Sequence, residues 1–250
     1  MDGTVRTVEG TARTVDDAAR PRAPAPGVEL VIFDCDGVLV DSEPIALALL
    51  HRTIARSGLD LPLATVQATF QGRSLAGVLR ILQERFDHAI APAAVEGMGA
   101  ELLASFTQQL QPVEGIVAVV DAVRARRAVA SSSGTQRIGH SLAVTGLADR
   151  FPPDAVFSAD AVRRGKPAPD LFLYAAARVG VPPRRAMVVE DSPAGIRAAR
   201  SAGMRVVGFA GGSHARVPGY VAGLREAGAP AIAPDADALL ALLRVAGAAD

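Results

Sequence analysis

From residue 28 onward the chain alternates short unbroken apolar runs with longer stretches of helical periodicity. Leu30, Val31, Ile32 and Phe33 make the first run, bounded by polar positions. A run without polar alternation suits a strand buried on both faces of a parallel sheet. Further apolar runs at 128–130, 155–157, 186–189, 205–209 and 231–233 predict five more strands. Helical patterns fall between them. They cover 116–126, 135–144 with Gly146 behind it, 169–179 closed by Gly180, a segment opened by Ser192-Pro193 and closed by Gly203, and 235–243. Strand and helix in this alternation predict an α/β fold, a doubly wound, Rossmann-like parallel sheet with helices on both faces.

One stretch breaks that rhythm. Residues 43–110 hold helical patterns and no strand pattern. Ser42 or Glu43 can cap a helix with Pro44 at its first position. Ile45, Leu49 and Ile54 mark its apolar side, and Gly58 suits its exit. More helical pattern follows at 75–86 and 93–110. An insert of roughly 70 residues is far longer than an ordinary connection. It predicts a small helical cap domain over the carboxyl end of the first strand, splitting the core into 28–42 and 111–250. Residues 1–27 are rich in Ala, Arg, Thr and Pro and have no apolar periodicity, which predicts a flexible extension. Asp2, Glu9, Asp16 and Asp17 within it are foreign to a transit peptide.

Composition narrows the classes of function. With 26 basic and 26 acidic residues the formal net charge is zero, which argues against nucleic acid and against an anionic membrane surface. Aromatic residues are 4% of the chain and tryptophan is absent, so single strands would find no stacking platform. One cysteine cannot form a disulfide within the chain, and the reducing cytoplasm is the default compartment. No apolar run is long enough to span a bilayer, and no signal-peptide core is visible.

Four places could carry chemistry. The first strand runs into Asp34-Cys35-Asp36-Gly37. Side chains of an extended chain alternate, so Asp34 and Asp36 leave the strand on the same side. Two carboxylates so close repel unless a cation, a proton or a donor separates them. A hard divalent ion such as Mg2+ fits oxygen ligands; a solvated turn accounts for the tetrapeptide equally well. Gly37 allows a sharp turn and close approach of a ligand. At 129–134 an apolar strand runs into Ser131-Ser132-Ser133-Gly134 and a helix, which is either a phosphate cradle or an ordinary serine-capped start. Lys166 is the sole lysine of the chain. A chain that otherwise uses arginine keeps the compact point charge here, which reads either as a narrow site between an aspartate and a phosphate or as a chance lysine in a solvated loop. Glu190-Asp191-Ser192 ends another strand ahead of a helix and reads either as a helix cap or as an acidic pair.

Taken together, DCDGVLVDSE, the serines at 131–133, KPAPD and the Glu190-Asp191 pair resemble, in order, the four motifs of the haloacid dehalogenase superfamily, in its branch with a helical cap after the first motif. The resemblance covers residues 28–243 and implies a phosphatase. Asp34 would be the nucleophile and Asp36 the general acid and base. Ser131 and the backbone of Ser132 would hold the phosphoryl group, with Lys166 beside it. Mg2+ would be held by Asp34, Asp36, Glu190 and Asp191. The expected partner is a small phosphorylated metabolite, a sugar phosphate above all, with no nucleic acid and no membrane, for a chain that is a monomer or weak homodimer.

Departures from relatives sharpen this. Dehalogenating members lack the second aspartate, which is present here as Asp36. Phosphonoacetaldehyde hydrolases need a cap lysine, and this insert has none. The chain is also similar to the beta-phosphoglucomutase type of phosphosugar mutase, but Ala46 stands where those enzymes use histidine. A signalling receiver domain combines the same residue types; its acidic pair precedes the acceptor strand, and it has no such insert. Arg73, in Phe70-Gln71-Gly72-Arg73-Ser74, reads equally as a contact for a second anionic group and as a solvated residue beside a serine cap. His51, His88 and His140 fall in helical patterns and read as surface or packing residues. His214 follows a strand and so lies near the edge of the site. Cys35 reads as a small buried group rather than a nucleophile.

Overall fold

Leu30–Phe33 (β1) is buried along its whole length and pairs in parallel on both sides. Its neighbours are Arg126–Ser131 (β2) and Ala186–Glu190 (β4). The structure, a computed structural model, describes Met1 and residues 27–71 and 73–250. The expected extension over residues 1–27 thus lies almost wholly outside the described residues. With Val156–Ser158 (β3), Arg205–Phe209 (β5) and Ile232–Ala233 (β6), the sheet has, among the described residues, six strands in the order β3-β2-β1-β4-β5-β6, every neighbouring pair parallel.

Strand alternation divides the core into two. Val31 and Phe33 face one side with Val129, Val189 and Val207. They pack on helices Ile116–Ala122 (α5), Thr135–Val144 (α6) and Ala236–Val245 (α10). Leu30 and Ile32 face the other with Val188 and Val206. They pack on Asp170–Val179 (α7), Pro193–Ser201 (α8) and Tyr220–Glu226 (α9). The chain leaves β1 toward β2 on one side and returns through β4 on the other. A crevice therefore opens between β1 and β4 at their carboxyl ends, where open α/β sheets bind ligands. Phe33 is level with both Val129 and Val189, so Asp34, Ser131 and Glu190 emerge at one edge.

Four helices run between β1 and the rest of the sheet: Glu43–Arg56 (α1), Leu63–Phe70 (α2), Leu75–Phe86 (α3) and Pro92–Gln109 (α4). They surround an apolar cluster of their own, made of Leu50, Ile54, Leu61, Val66, Phe70, Val78, Ile81, Leu82 and Ile90. Phe106 of α4 and the adjoining Leu110 join the sheet's core instead. Two crossings close the insert at its base, Asp41 N–H to Gln111 O at 3.0 Å and a bridge between Val40 and Pro112.

The periodicity missed α2 and α9, which have eight and seven residues and too few turns to show a stripe. It also ran the helix at 116–126 too far. That helix stops at Ala122, because Val123 bridges Ala249 and Arg126 already begins β2. Among the described residues no helix is long and apolar enough to cross a membrane.

Leu82 is fully buried in the insert's cluster. Leu82→Ala should cost about 2–5 kcal/mol through lost transfer free energy and the cavity left behind. Urea unfolding followed by circular dichroism should show a lower midpoint; an unchanged midpoint would mean that the insert's cluster adds nothing to stability.

Candidate active site

Asp34 follows β1 directly, and its N–H donates to Val189 O at 3.0 Å. The chain then turns back. Leu39 and Val40 N–H both reach Cys35 O, and Gly37 N–H reaches Val40 O at 2.8 Å. Gly37 has φ +79°, and a Cβ there would lie 2.0 Å from Asp191 Oδ2. The glycine is needed for a close approach, as its sequence context implies, and the group that approaches is a carboxylate. Cys35 is buried in the core, and burial pushes its thiol pKa up, consistent with a packing role.

Asp34, Glu190 and Asp191 gather at the crevice, each offering a carboxylate oxygen, all within 4.8 Å of one another. All three are buried. Lys166 answers them. Its Nζ donates to Asp34 Oδ1 at 2.5 Å, to Glu190 Oε1 at 2.6 Å and to Ala130 O at 3.0 Å, and it lies 4.9 Å from the centre of the Phe172 ring. Its side chain is only 3% exposed. Burial alone would lower the lysine's pKa, but the Asp34 and Glu190 charges outweigh burial and raise it. Burial drives the Asp34 carboxyl well above its ordinary range; Lys166 pulls the other way, and the neighbouring acids push it further up. Burial raises Asp191 likewise. One ammonium does not balance three carboxylates, and the excess negative charge suits a divalent cation with oxygen ligands.

Glu190 is held on both oxygens. Its Oε2 accepts from Ser192 N–H at 2.8 Å and Ser192 Oγ at 2.9 Å. That same hydroxyl accepts from Gly195 N–H at 3.0 Å, which caps α8. Ser192 therefore serves as both helix cap and carboxylate anchor, so the two readings of this stretch hold together. A Cβ on Gly195 would fall 1.8 Å from Glu190 Oε1, so α8 can start this close to the acid only with glycine there.

Asp36 does not join this group. The alternation that placed it beside Asp34 holds only while the chain is extended, and β1 ends at Phe33. Past that point the turn aims Asp36 at α6. Ser42 Oγ donates to its Oδ1 at 2.6 Å, Arg137 Nη2 to the same atom at 2.7 Å, and Ser133 Oγ to its Oδ2 at 2.7 Å. Burial works to raise the Asp36 pKa, but Arg137 and the hydroxyl donors overcome it and hold the carboxyl below its ordinary range. Ser42, at the start of α1, spends its hydroxyl on Asp36 rather than on capping the helix.

Ser131 is buried at the end of β2, where its Oγ accepts from Ser133 N–H at 3.1 Å. Ser132 is exposed at the start of the loop. Arg73 donates through Nε to Thr69 O at 2.8 Å and lines a cleft of about 590 Å³ between the insert and the sheet, together with Glu43, Ala46, Gln71, Gln136 and Arg137. Among the other histidines, His51 and His88 bond within the insert, and His140 meets Thr107 Oγ1 and Leu103 O of α4.

Arg137 and Tyr220, which the sequence did not single out, belong to this region, as does Ser133, which the sequence named only as part of the serine run. Tyr220 Oη donates to Asp191 O at 2.6 Å and stands 2.7 Å from His214 Nε2, itself 2.8 Å from Asp191 Oδ2. Burial acts to lower the His214 pKa, and the Asp191 carboxylate overrides it and raises it. Nothing in sequence separates Arg137 from the many other arginines; only the fold brings α6 alongside Asp36.

The chain is 32% identical over 190 residues to a 6-phosphogluconate phosphatase of Escherichia coli, covering 75% of this chain and 85% of that one. It is 34% identical over 181 residues to a fructose-1-phosphate phosphatase of the same organism, covering 71% and 94%. The crystal structure of a haloacid dehalogenase-like protein of unknown function from Agrobacterium tumefaciens matches with a TM-score of 0.80 at 33% identity, over 88% of this chain and all of that one. The haloacid dehalogenase-like hydrolase family matches residues 28–203, a span that runs from just before β1 to just past α8 and contains Asp34, Asp36, Glu190 and Asp191; the chain belongs to that family.

Proposed function

We propose that this chain is a Mg2+-dependent phosphatase that hydrolyses a small phosphomonoester, a sugar phosphate, through an aspartyl-phosphate on Asp34. The observation that carries the reading is Lys166, buried between Asp34 and Glu190 at the crevice, with a third carboxylate beside them. Relatives named as 6-phosphogluconate and fructose-1-phosphate phosphatases support the substrate class. Ala46 lines the cleft and brings no proton-transferring group, which disfavours a mutase.

In this reading Asp34 attacks phosphorus in line, a bond forms from its carboxylate to the phosphoryl group, and the bond to the ester oxygen breaks. Arg137 and the two hydroxyls keep Asp36 ionised in the resting site, so in this reading it would take up a proton from solvent as substrate binds, give it to the departing oxygen and then take one from the water that splits the aspartyl-phosphate, releasing phosphate and restoring Asp34. Lys166 and Ser131 face the oxygens of the transferring group. Asp34, Glu190 and Asp191 would hold Mg2+, which supplies charge neutralisation at those oxygens. The acidic geometry supports this set without the Asp36 carboxylate. Ser42, Ser133 and Arg137 hold Asp36, and Arg137 also lines the cleft in which a leaving group would lie. Arg73, which lines the cleft, would meet the far end of such a substrate.

Phosphate release from a panel including 6-phosphogluconate and fructose 1-phosphate, with and without Mg2+, tests the reading. Turnover should require Mg2+, and Asp34→Asn should lower it by several orders of magnitude. Turnover that survives this substitution would remove Asp34 as nucleophile.

Lys166→Met should abolish turnover and lower stability by about 3–5 kcal/mol, because it leaves buried carboxylates without their counter-charge. Lys166→Arg should not restore activity, since a planar fork cannot replace a compact ammonium in so narrow a space. Activity of Lys166→Arg near that of the parent would contradict this account of the site.

A further inference from the structure

The segment after β5 takes no part in the steps above, yet it is built directly onto the carboxylate cluster. Tyr220 Oη gives its hydrogen to Asp191 O at 2.6 Å and so acts as an acceptor toward His214 Nε2 at 2.7 Å. The hydrogen on His214 Nε2 is therefore shared between Tyr220 Oη and Asp191 Oδ2, the latter at 2.8 Å. The two rings meet edge to face, with centres 5.0 Å apart.

The surroundings make room for this ring and hold it. A Cβ at Gly37 would lie 2.6 Å from His214 Cε1, and one at Gly212 would lie 2.7 Å from both Cε1 and Nδ1. The main chain is tied from two directions. His214 O accepts from Gln71 Nε2 of the insert at 2.8 Å, and Asp41 Oδ1 accepts from Ser213 N–H at 3.2 Å and Ser213 Oγ at 2.9 Å. His214 is 6% exposed.

We propose that His214, set by Tyr220, is a positioning residue that fixes the plane of the Asp191 carboxylate for a divalent cation. The inference rests on reading Asp191 as a cation ligand. An aspartate carboxylate rotates broadly about its last bond. A donor on Oδ2 stops that rotation and leaves Oδ1 to the cation. Partners of this kind orient a ligand and raise its affinity without touching the metal. Tyr220 holds the same residue by its main chain, so Asp191 is gripped at both ends.

Isothermal titration of Mg2+ into the full chain, without substrate, tests this. His214→Leu removes the donor and should weaken Mg2+ binding by about 10–100-fold. His214→Gln keeps an N–H near the position of Nε2 and should stay within about threefold of the parent, since only the donor is required. Tyr220→Phe should fall between them. A purely structural role predicts instead that His214→Leu and His214→Gln lower the melting temperature alike while Mg2+ affinity is unchanged, and that result overturns the proposal. If His214→Leu does not fold, Tyr220→Phe decides: parental affinity overturns the proposal, and weakened affinity upholds it. A chain that binds Mg2+ in this His214-dependent way but hydrolyses no ester loses the phosphatase reading and keeps this one. A parent chain without Mg2+ affinity overturns it.

Discussion

Charge crowding at the carboxyl ends of β1 and β4 governs the design of this molecule. Three buried carboxylates converge within a few ångströms, and a single buried ammonium stands between two of them. Such a group is costly to assemble unless every charge has a partner with good geometry. The fold provides this by parallel register, which brings Asp34 and Glu190 to one level. Two glycines, Gly37 and Gly195, then remove the side chains that would keep the acids apart. Ser192 uses one hydroxyl to cap a helix and anchor an acid at once.

The second aspartate belongs to a different arrangement. Asp36 is bound to Ser42 at the start of the insert and to Ser133 and Arg137 on the sheet side. The Arg137 guanidinium also lies 5.3 Å from the centre of the Phe106 ring on α4. One arginine thus contacts both the aspartate that would handle protons and the last helix of the insert.

Much of this was legible in the chain because it follows from local rules. Unbroken apolar runs gave strands within a residue or two of their observed ends, and the pattern at Leu75–Phe86 gave a helix with those same limits. Lys166 stood out because the composition contains no other lysine, and Gly37 because a turn after two acids needs it. What was not legible depends on distance in sequence. Asp36 leaves the set of acids because the strand ends one residue before Asp34, and alternation alone cannot say where a strand stops. Arg137 reaches Asp36 across 101 positions, and His214 reaches Asp191 only once β5 lies beside β4. Short helices such as Tyr220–Glu226 carry too few turns for a periodic signal, which hid Tyr220 as well.

The lone lysine has a chemical consequence for the whole molecule. Every other basic side chain except the histidines is arginine, and the single ε-amine is sealed at the crevice with 3% of its side chain exposed. The outer surface of the folded chain therefore offers no nucleophilic lysine. Across these 250 residues, reagents that acylate lysine and cellular conjugation to lysine would find no target on the folded surface. Modification of Lys166 would report that the crevice had come open.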